Sequence, residues 1–307
     1  MIDMKLLSGM CDMYYDYRVG LDFLKGLDYD KYEYPNETTN IHIYTEVKNS
    51  KELECIKSCL ATQNLEHVRL IVWSDYNIED NSFIQPYKEY LDLRVYDPVE
   101  EARGTVLENN AQWITSDISD KNHYMKSGIL RFLVTHKYGG VWADMDMIFL
   151  RDFKPILDQE WAYMWGSETD FKGFGPCAAM MNINKDSQHS RLCMEEILNT
   201  HVVPDSTVLD HMLLAKVYSR QPFDVFPSTF FNTEWLISKV NEPLSRETEE
   251  NWFYNRTNTA KYNLFLEAFS WHWHNSSKKE YPIQIGSKFS LLRKRTNQLL
   301  KEKGIIE

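Results

Sequence analysis

Two aspartates, Asp144 and Asp146, stand one residue apart in the otherwise apolar stretch HKYGGVWADMDMIFLRDF (136–153). An ionised carboxylate is costly in such surroundings unless a cation meets it. Residues i and i+2 of a strand project to the same face, so both carboxylates are expected to point the same way where a buried strand ends. Such a pair suits a hard divalent cation such as Mn²⁺ or Mg²⁺, with positions left for phosphate oxygens. The pattern predicts a metal site that takes a diphosphate.

The residues before the pair supply the context, because an Asp-x-Asp triplet alone is a weak signal that acidic loops contain by chance. Apolar residues recur at helical spacing over 120–137, and Gly139-Gly140 follows, which predicts a helix with a glycine end. A hydrophobic strand then leads into Asp144. A helix, a Gly-Gly break and a strand ending in two aspartates form a far more specific arrangement than the triplet.

The wider chain predicts strands and helices in alternation. Segments 40–47, 67–75 and 91–97 are rich in β-branched and aromatic residues and predict strands. This alternation indicates an α/β fold with a mainly parallel central sheet flanked by helices, and ligand binding at the carboxyl ends of the strands. Further predicted strands lie at 161–166 and 177–183, and further helices at 49–63, 187–199 and 206–219.

Charge and composition exclude some classes of protein. The 307 residues carry a formal net charge of −11, which argues against nucleic acid as a partner, since phosphate binding needs a basic surface. Five scattered cysteines and the lack of a long apolar segment near the start predict reduced thiols and a cytoplasmic chain. No repeat or linker divides the chain, so a single domain is expected.

The stretch 127–153 resembles the core block of DXD-containing sugar transferases of glycosyltransferase family 32. That family includes yeast-type initiating α-mannosyltransferases and α-galactosyltransferases, with the clostridial glucosylating toxins more distant. One position departs, since Gly128 stands where the family has an aspartate that contacts donor-sugar hydroxyls. Weaker similarities occur at 40–47, 70–75, 225–235 and 270–277. The matching residues are Arg131, Phe132, Tyr138, Gly139, Gly140, Val141, Trp142, Asp144 and Asp146.

The resemblance implies a GT-A fold, a Rossmann-like nucleotide-diphospho-sugar transferase fold, as one domain over 1–307. Within it we expect a lead-in segment at 1–38 and a nucleotide-sugar-binding half at 39–150. An acceptor-side half at 151–287 and a basic C-terminal helix at 288–307 complete the prediction.

The resemblance also implies roles for the acidic pair. Asp146 is expected to bind the metal directly, and Asp144 to reach the ribose or sugar, or the metal through water. His272, in the block His-aromatic-x-x-Ser, is expected to complete the metal shell or to hydrogen-bond the diphosphate. The alternative for His272 is a packed histidine without a ligand.

Four further residues are predicted to bind the donor. Arg131 shares a helix face with Ser127, and its guanidinium is expected to hydrogen-bond the sugar or a phosphate; the alternative is a surface arginine in a salt bridge. Tyr44, Thr45 and Trp73 stand near the ends of the first two strands, where the base would lie and an aromatic ring could stack on it. The alternative for Trp73 is an ordinary core residue.

Two features concern the acceptor. Asp210, followed by His211, is predicted to face the acceptor cleft as a catalytic residue, the alternative being an exposed helical carboxylate. The basic amphipathic segment 288–303 predicts a terminal helix packed on the body, or else a peripheral contact with an anionic membrane that holds a lipid-linked acceptor.

These observations predict a metal-dependent glycosyltransferase that moves a hexose from a UDP- or GDP-sugar to a hydroxyl of a glycan or glycolipid, in polysaccharide biosynthesis. The resemblance implies retention of anomeric configuration. One alternative is a glycoside hydrolase, although its two carboxylates typically come from different elements. The other is a non-catalytic nucleotide-sugar or carbohydrate-binding module with a degenerate site. The sequence makes no prediction of the sugar, the linkage or the oligomeric state.

Overall fold

The computed structural model describes residues 1–3, 17–110, 123–164, 176–199, 209–232, 266–274 and 282–307. Its strands are β1 (Thr39–Tyr44), β2 (Val68–Ser74), β3 (Leu91–Val95), β4 (Gly140–Ala143), β5 (Met147–Phe149), β6 (Trp161–Met164), β7 (Pro176–Ile183), β8 (Asp224–Phe226) and β9 (Ser270–His272). Its α-helices are α1 (Tyr17–Lys25), α2 (Leu53–Thr62), α3 (Pro98–Ala102), α4 (His123–Tyr138), α5 (Gln188–Asn199), α6 (Leu209–Arg220) and α7 (Lys288–Glu302).

Seven strands form one sheet in the order β3-β2-β1-β4-β7-β6-β8. Strands β1 to β4 run parallel to one another, and β6 runs parallel to β8. Strand β7 is antiparallel to both β4 and β6. The mainly parallel sheet confirms the predicted fold class, and it brings the carboxyl ends of β1, β2 and β4 to one edge.

Helices cover both faces of the sheet. Alternate residues of β2 enter two separate cores, with Leu70 and Val72 facing α2 and Ile71 and Trp73 facing α4. Helix α2 packs against α7 on the first face, while α5 packs against both α4 and α6 on the second. The result is a three-layer arrangement that buries both faces of the parallel strands, as their nearly continuous apolar sequences require.

The strand that precedes the aspartates is shorter than the sequence predicts. Strand β4 ends at Ala143, and Asp144 to Asp146 form a turn that leads into β5. The amide of Met147 closes this turn by donating to the Asp144 carbonyl at 3.0 Å. The two carboxylates therefore do not share a strand face as predicted; a turn positions them instead.

Gly139 and Gly140 form the corner between α4 and β4. Their φ angles are +71° and +106°, values that L side chains rarely adopt. A Cβ at Gly140 would collide with the carbonyl oxygen of Asn40, and one at Gly139 would lie 2.8 Å from the Lys185 amide nitrogen. Only glycine fits this corner, which places the start of β4 directly against β1.

Three cations of the basic C-terminal segment contact the body of the protein. Lys288 is buried, and Arg293 Nε lies 2.8 Å from a Glu54 carboxylate oxygen on α2. Lys303, just after α7, donates to the carbonyl oxygens of Leu60 and Gln63 at the end of α2. The helix is thus packed on the body, which leaves the membrane contact without structural support. In the described part of the chain, no helix is both long enough and apolar enough to cross a bilayer.

Candidate metal and donor site

The aspartate turn is held between two strands from later in the chain. The Asp144 amide donates to the Ala179 carbonyl of β7 at 2.7 Å, and the Trp273 amide donates to the Asp146 carbonyl at 3.0 Å. Strand β9 pairs with β5 so that His272 lies opposite Met147. These backbone contacts carry the His272 ring to the aspartate turn.

Three ligand atoms converge there. One atom each from Asp144, Asp146 and His272 lies within 4.8 Å of the other two, and His272 Nε2 is 3.2 Å from Asp146 Oδ1. Two carboxylate oxygens and an imidazole nitrogen are donors that Mn²⁺ accepts readily, and a cation would neutralise the two adjacent negative charges. The donor set therefore fits a divalent cation, and it contains the three residues that the sequence predicts as ligands.

Asp144 is held from its other side by Arg131 and Trp142. The Trp142 indole N–H donates to Asp144 Oδ1 at 2.7 Å, and Arg131 Nη2 lies 3.2 Å from the same oxygen. Burial raises the pKa of Asp144 to about 6, while the Arg131 charge opposes the rise and the Asp146 charge adds to it. Arg131 is only 4% exposed, so the alternative of a surface arginine is wrong. Gly128 is buried one turn before it in α4.

A second group of polar side chains surrounds His272. The Tyr163 hydroxyl on β6 is 3.3 Å from His272 Nδ1, and burial raises the pKa of this hydroxyl well above its usual range, so it is a neutral phenol. The His274 ring lies 3.9 Å from the His272 ring, centroid to centroid, and its Nε2 is 3.4 Å from Asn232 Oδ1. The backbone of His274 has a φ of +53°, which is uncommon for a residue other than glycine.

His211 is a further neighbour. Burial lowers the pKa of His211, the hydrogen bond to Pro176 opposes this, and the nearby charge of Arg131 lowers the pKa further. Its Nδ1 is 3.1 Å from the Pro176 carbonyl oxygen. Asp210 lies in α6, but its side chain falls outside what the structure describes, and its role stays a prediction.

The residues predicted to contact the base have different surroundings. Tyr44 donates to Asp75 Oδ1 at 2.7 Å, and Lys126 Nζ is 2.6 Å from the same oxygen, so a polar cluster forms beside Ser127 at the sheet edge. Thr45 is buried, and its hydroxyl accepts the Val47 amide at 3.0 Å. This cluster joins the ends of β1 and β2 to the start of α4.

Trp73 does not reach this edge. It is 1% exposed, and its indole N–H donates to His42 Nδ1 at 3.1 Å inside the core. The prediction that Trp73 stacks on a base is wrong, and the core alternative holds. The parallel strand β2 buries both of its faces, so its apolar sequence could not show which way this ring points.

The chain is similar to known proteins in part of its sequence and in its fold. Residues 49–163 match the family model described as "Glycosyltransferase sugar-binding region containing DXD motif". No curated protein sequence matches the chain significantly. The glycosyltransferase GlyE of Streptococcus pneumoniae TIGR4 aligns with a TM-score of 0.53 and 13% identity, over 88% of this chain and 64% of GlyE. Its apo form gives 0.50 and 14%, over 88% and 63%.

A third structure, the PaToxG glycosyltransferase, covers 72% of this chain and 80% of its own at 12% identity, with a TM-score of 0.44. At these identities the likeness to GlyE shows a shared fold, and this chain spans just under two thirds of the length of GlyE. The matched region includes α2, β2, the aspartate turn and Tyr163. The match over residues 49–163 and the fold shared with GlyE support glycosyltransferase as the enzyme class and agree with the predicted GT-A fold.

Proposed function

We propose that this enzyme transfers a hexose from a UDP- or GDP-sugar to a hydroxyl of a glycan or glycolipid, with Mn²⁺ or Mg²⁺ at Asp144, Asp146 and His272. The observation that carries the proposal is the convergence of three ligand atoms within 4.8 Å on a turn at the carboxyl end of a parallel strand. In open α/β sheets, ligands bind at this end of the strands. The family 32 resemblance supports the same assignment.

The residues around the aspartate turn have different roles in this proposal. A bound divalent cation would offset the charge that develops on the leaving nucleoside diphosphate. Arg131 and Trp142 hold Asp144 in one orientation, and we assign the Arg131 guanidinium a hydrogen bond to a sugar hydroxyl or a phosphate of the donor. The cluster of Tyr44, Asp75 and Lys126 offers hydrogen-bonding groups at the same sheet edge, where we place the nucleoside.

We further propose that transfer retains the anomeric configuration. Among the described residues, the carboxylates at the ligand cluster are Asp144 and Asp146, and both serve the cation in this proposal. We therefore favour front-face attack by the acceptor hydroxyl, with the leaving phosphate accepting the proton, over a covalent enzyme intermediate. The anomeric configuration of the product, measured by NMR, tests this step; an inverted linkage contradicts it and leaves the transferase activity standing.

The central experiment is a thermal-shift screen with Mn²⁺ and a set of UDP- and GDP-sugars. The preferred donor should raise the melting temperature only when the metal is present, because we propose that the metal holds its diphosphate. A donor at 100 times its Kd would stabilise the folded state by about 2.7 kcal/mol. In Asp146→Asn the metal-dependent part of the shift should disappear. Asp186→Asn is the matched control, since this aspartate is exposed and pairs with Arg191 away from the cluster.

Two results would contradict the proposal. If Asp146→Asn binds metal and donor as the wild type does, the aspartate turn is not the site. If the donor binds but no acceptor in a broad panel is glycosylated, the non-catalytic binding module becomes the better interpretation.

A further inference from the structure

The two ring nitrogens of His272 face different partners. Nε2 lies 3.2 Å from Asp146 Oδ1, and Nδ1 lies 3.3 Å from the Tyr163 hydroxyl oxygen. The imidazole is buried, and Tyr163 is 0% exposed. In a neutral imidazole one nitrogen carries a proton and donates, while the other carries a lone pair and accepts. The group that faces Nδ1 must therefore donate when Nε2 carries the proton and accept when Nδ1 carries it.

Without a cation, Nε2–H is the natural donor to the Asp146 carboxylate, which can only accept. Nδ1 then carries the lone pair, and the Tyr163 O–H must donate to it. Ligation of a cation requires the lone pair on Nε2, so the ring proton then lies on Nδ1 and needs an acceptor. The Tyr163 oxygen can supply this too, because a hydroxyl both donates and accepts and can rotate between the two roles.

The surroundings of Tyr163 support both roles. Cys177 lies opposite Tyr163 across the β6–β7 pair, and its thiol is near enough to contribute to the raised pKa of the Tyr163 hydroxyl. A thiol is a weak donor and a weak acceptor, so its sulfur can accept the hydrogen bond of the Tyr163 O–H when Nδ1–H donates to the Tyr163 oxygen. The phenol ring itself is fixed against Phe231, with centroids 5.2 Å apart. The hydroxyl proton can thus change direction while the heavy atoms stay in place.

We propose that Tyr163 is a positioning residue of the cation site, whose hydroxyl lets His272 move its proton from Nε2 to Nδ1 and so become a metal ligand. The inference rests on the proposed function, because the cation is the one placed at Asp144, Asp146 and His272. It adds a residue from β6, outside the aspartate turn and outside strand β9, to the groups that determine metal affinity.

The first test is the affinity of Tyr163→Phe for Mn²⁺ alone, measured by calorimetry. Removal of a group that orients a ligating histidine typically weakens metal binding by about 10- to 100-fold, and we expect a loss in this range. Tyr34→Phe is the matched control, because it removes a hydroxyl that donates to Asp152 Oδ2 at 2.8 Å, away from the ligand cluster. The control should bind Mn²⁺ with the wild-type Kd.

The second test needs no substitution. Nitrogen-15 NMR of the wild-type His272 ring, recorded while diamagnetic Mg²⁺ is added, should show the bound proton change from Nε2 to Nδ1. A ring that binds Mg²⁺ with its proton still on Nε2 overturns the proposal. This measurement also decides the question if Tyr163→Phe does not fold.

Asp146→Asn separates this inference from the proposed function. If Asp146→Asn loses Mn²⁺ affinity while Tyr163→Phe keeps it, the metal site stands and the role of Tyr163 is refuted. If neither substitution changes the Kd for Mn²⁺, the metal site itself is wrong, and the proposed function fails with it.

Discussion

Two buried histidines, His42 on β1 and His272 on β9, have similar local sequences and different partners. His42 is flanked by isoleucines and His272 by tryptophans, so both lie in short apolar strands. Both ring nitrogens of His42 bond to uncharged groups: Nδ1 accepts the Trp73 indole N–H, and Nε2–H donates to the Gly139 carbonyl at 3.0 Å. The His42 ring thus connects the Gly139 corner to the sheet, and both of its nitrogens are hydrogen-bonded there.

His272 instead has a carboxylate on one nitrogen and a hydroxyl on the other. A second carboxylate, from Asp144, lies within reach of the same point. The comparison shows that the partners of a buried imidazole, rather than its burial or its neighbours in sequence, separate an architectural histidine from a candidate ligand. Three experiments would break or sharpen this distinction.

The largest contrast should come from replacing each histidine by alanine. His272→Ala should weaken Mn²⁺ binding by at least about 100-fold, since the loss of a ligand exceeds the loss of a group that only orients one. His42→Ala should cost roughly 3–5 kcal/mol of unfolding free energy, because it opens a cavity and leaves the Trp73 N–H unpaired. Calorimetry and urea unfolding measure the two effects; a variant of His42 that folds normally and has lost Mn²⁺ binding would break the distinction.

The pH dependence of stability should come next in size. Burial lowers the pKa of His42 to about 4, below its ordinary value of 6.5, so the unfolded chain takes up the proton first as the pH falls. The contribution of His42 is therefore complete above pH 6.5 and is lost progressively toward pH 4. Between pH 7 and pH 5 the wild type should lose about 2 kcal/mol more than His42→Gln, measured by urea unfolding. Parallel curves for the two proteins would show that His42 titrates normally in the folded state.

The smallest contrast compares two indole donors. Trp142→Phe removes a hydrogen bond to the charged Asp144 and should weaken Mn²⁺ binding by about tenfold, while Trp73→Phe removes a neutral bond to His42 and should cost about 1 kcal/mol of stability with unchanged metal affinity. Equal Mn²⁺ affinities in the two variants would mean that Trp142 does not orient Asp144. Both measurements use the folded protein and Mn²⁺ alone.

Much of the sheet could be predicted from sequence because local patterns determine it. The strand predicted at 40–47 overlaps β1 from its second residue onward, the one at 67–75 contains β2, and the helix predicted at 120–137 ends at Tyr138, one residue later. The Gly139-Gly140 break was predictable since its backbone conformation excludes other residues. What the sequence missed depends on pairing between distant segments. Tyr163 reaches His272 only because β6 follows β7 in the sheet, and no local period encodes that order.

The second limit of prediction from the sequence was the side of a strand on which a residue lies. An alternating strand shows its buried face, but β2 is buried on both sides, so the direction of Trp73 had no signal. The aspartate pair was predicted on a strand face, whereas the chain turns one residue after Ala143. A hydrogen bond from the Asp144 amide to the Ala179 carbonyl and one from the Trp273 amide to the Asp146 carbonyl hold that turn, and both partners lie far away in the chain.

The pairing of β5 with β9 has a consequence for the order of events during folding. Strands β1 to β4 can assemble from the first half of the chain, but His272 arrives only when a distant segment closes a long loop onto Met147. A growing or truncated chain that stops before β9 can therefore build strands β1 to β4 and still lack a complete ligand set. Binding of Mn²⁺ would then report the last step of folding. The ion would also stabilise the fully folded chain relative to partly folded ones, because only the fully folded chain has all three ligands.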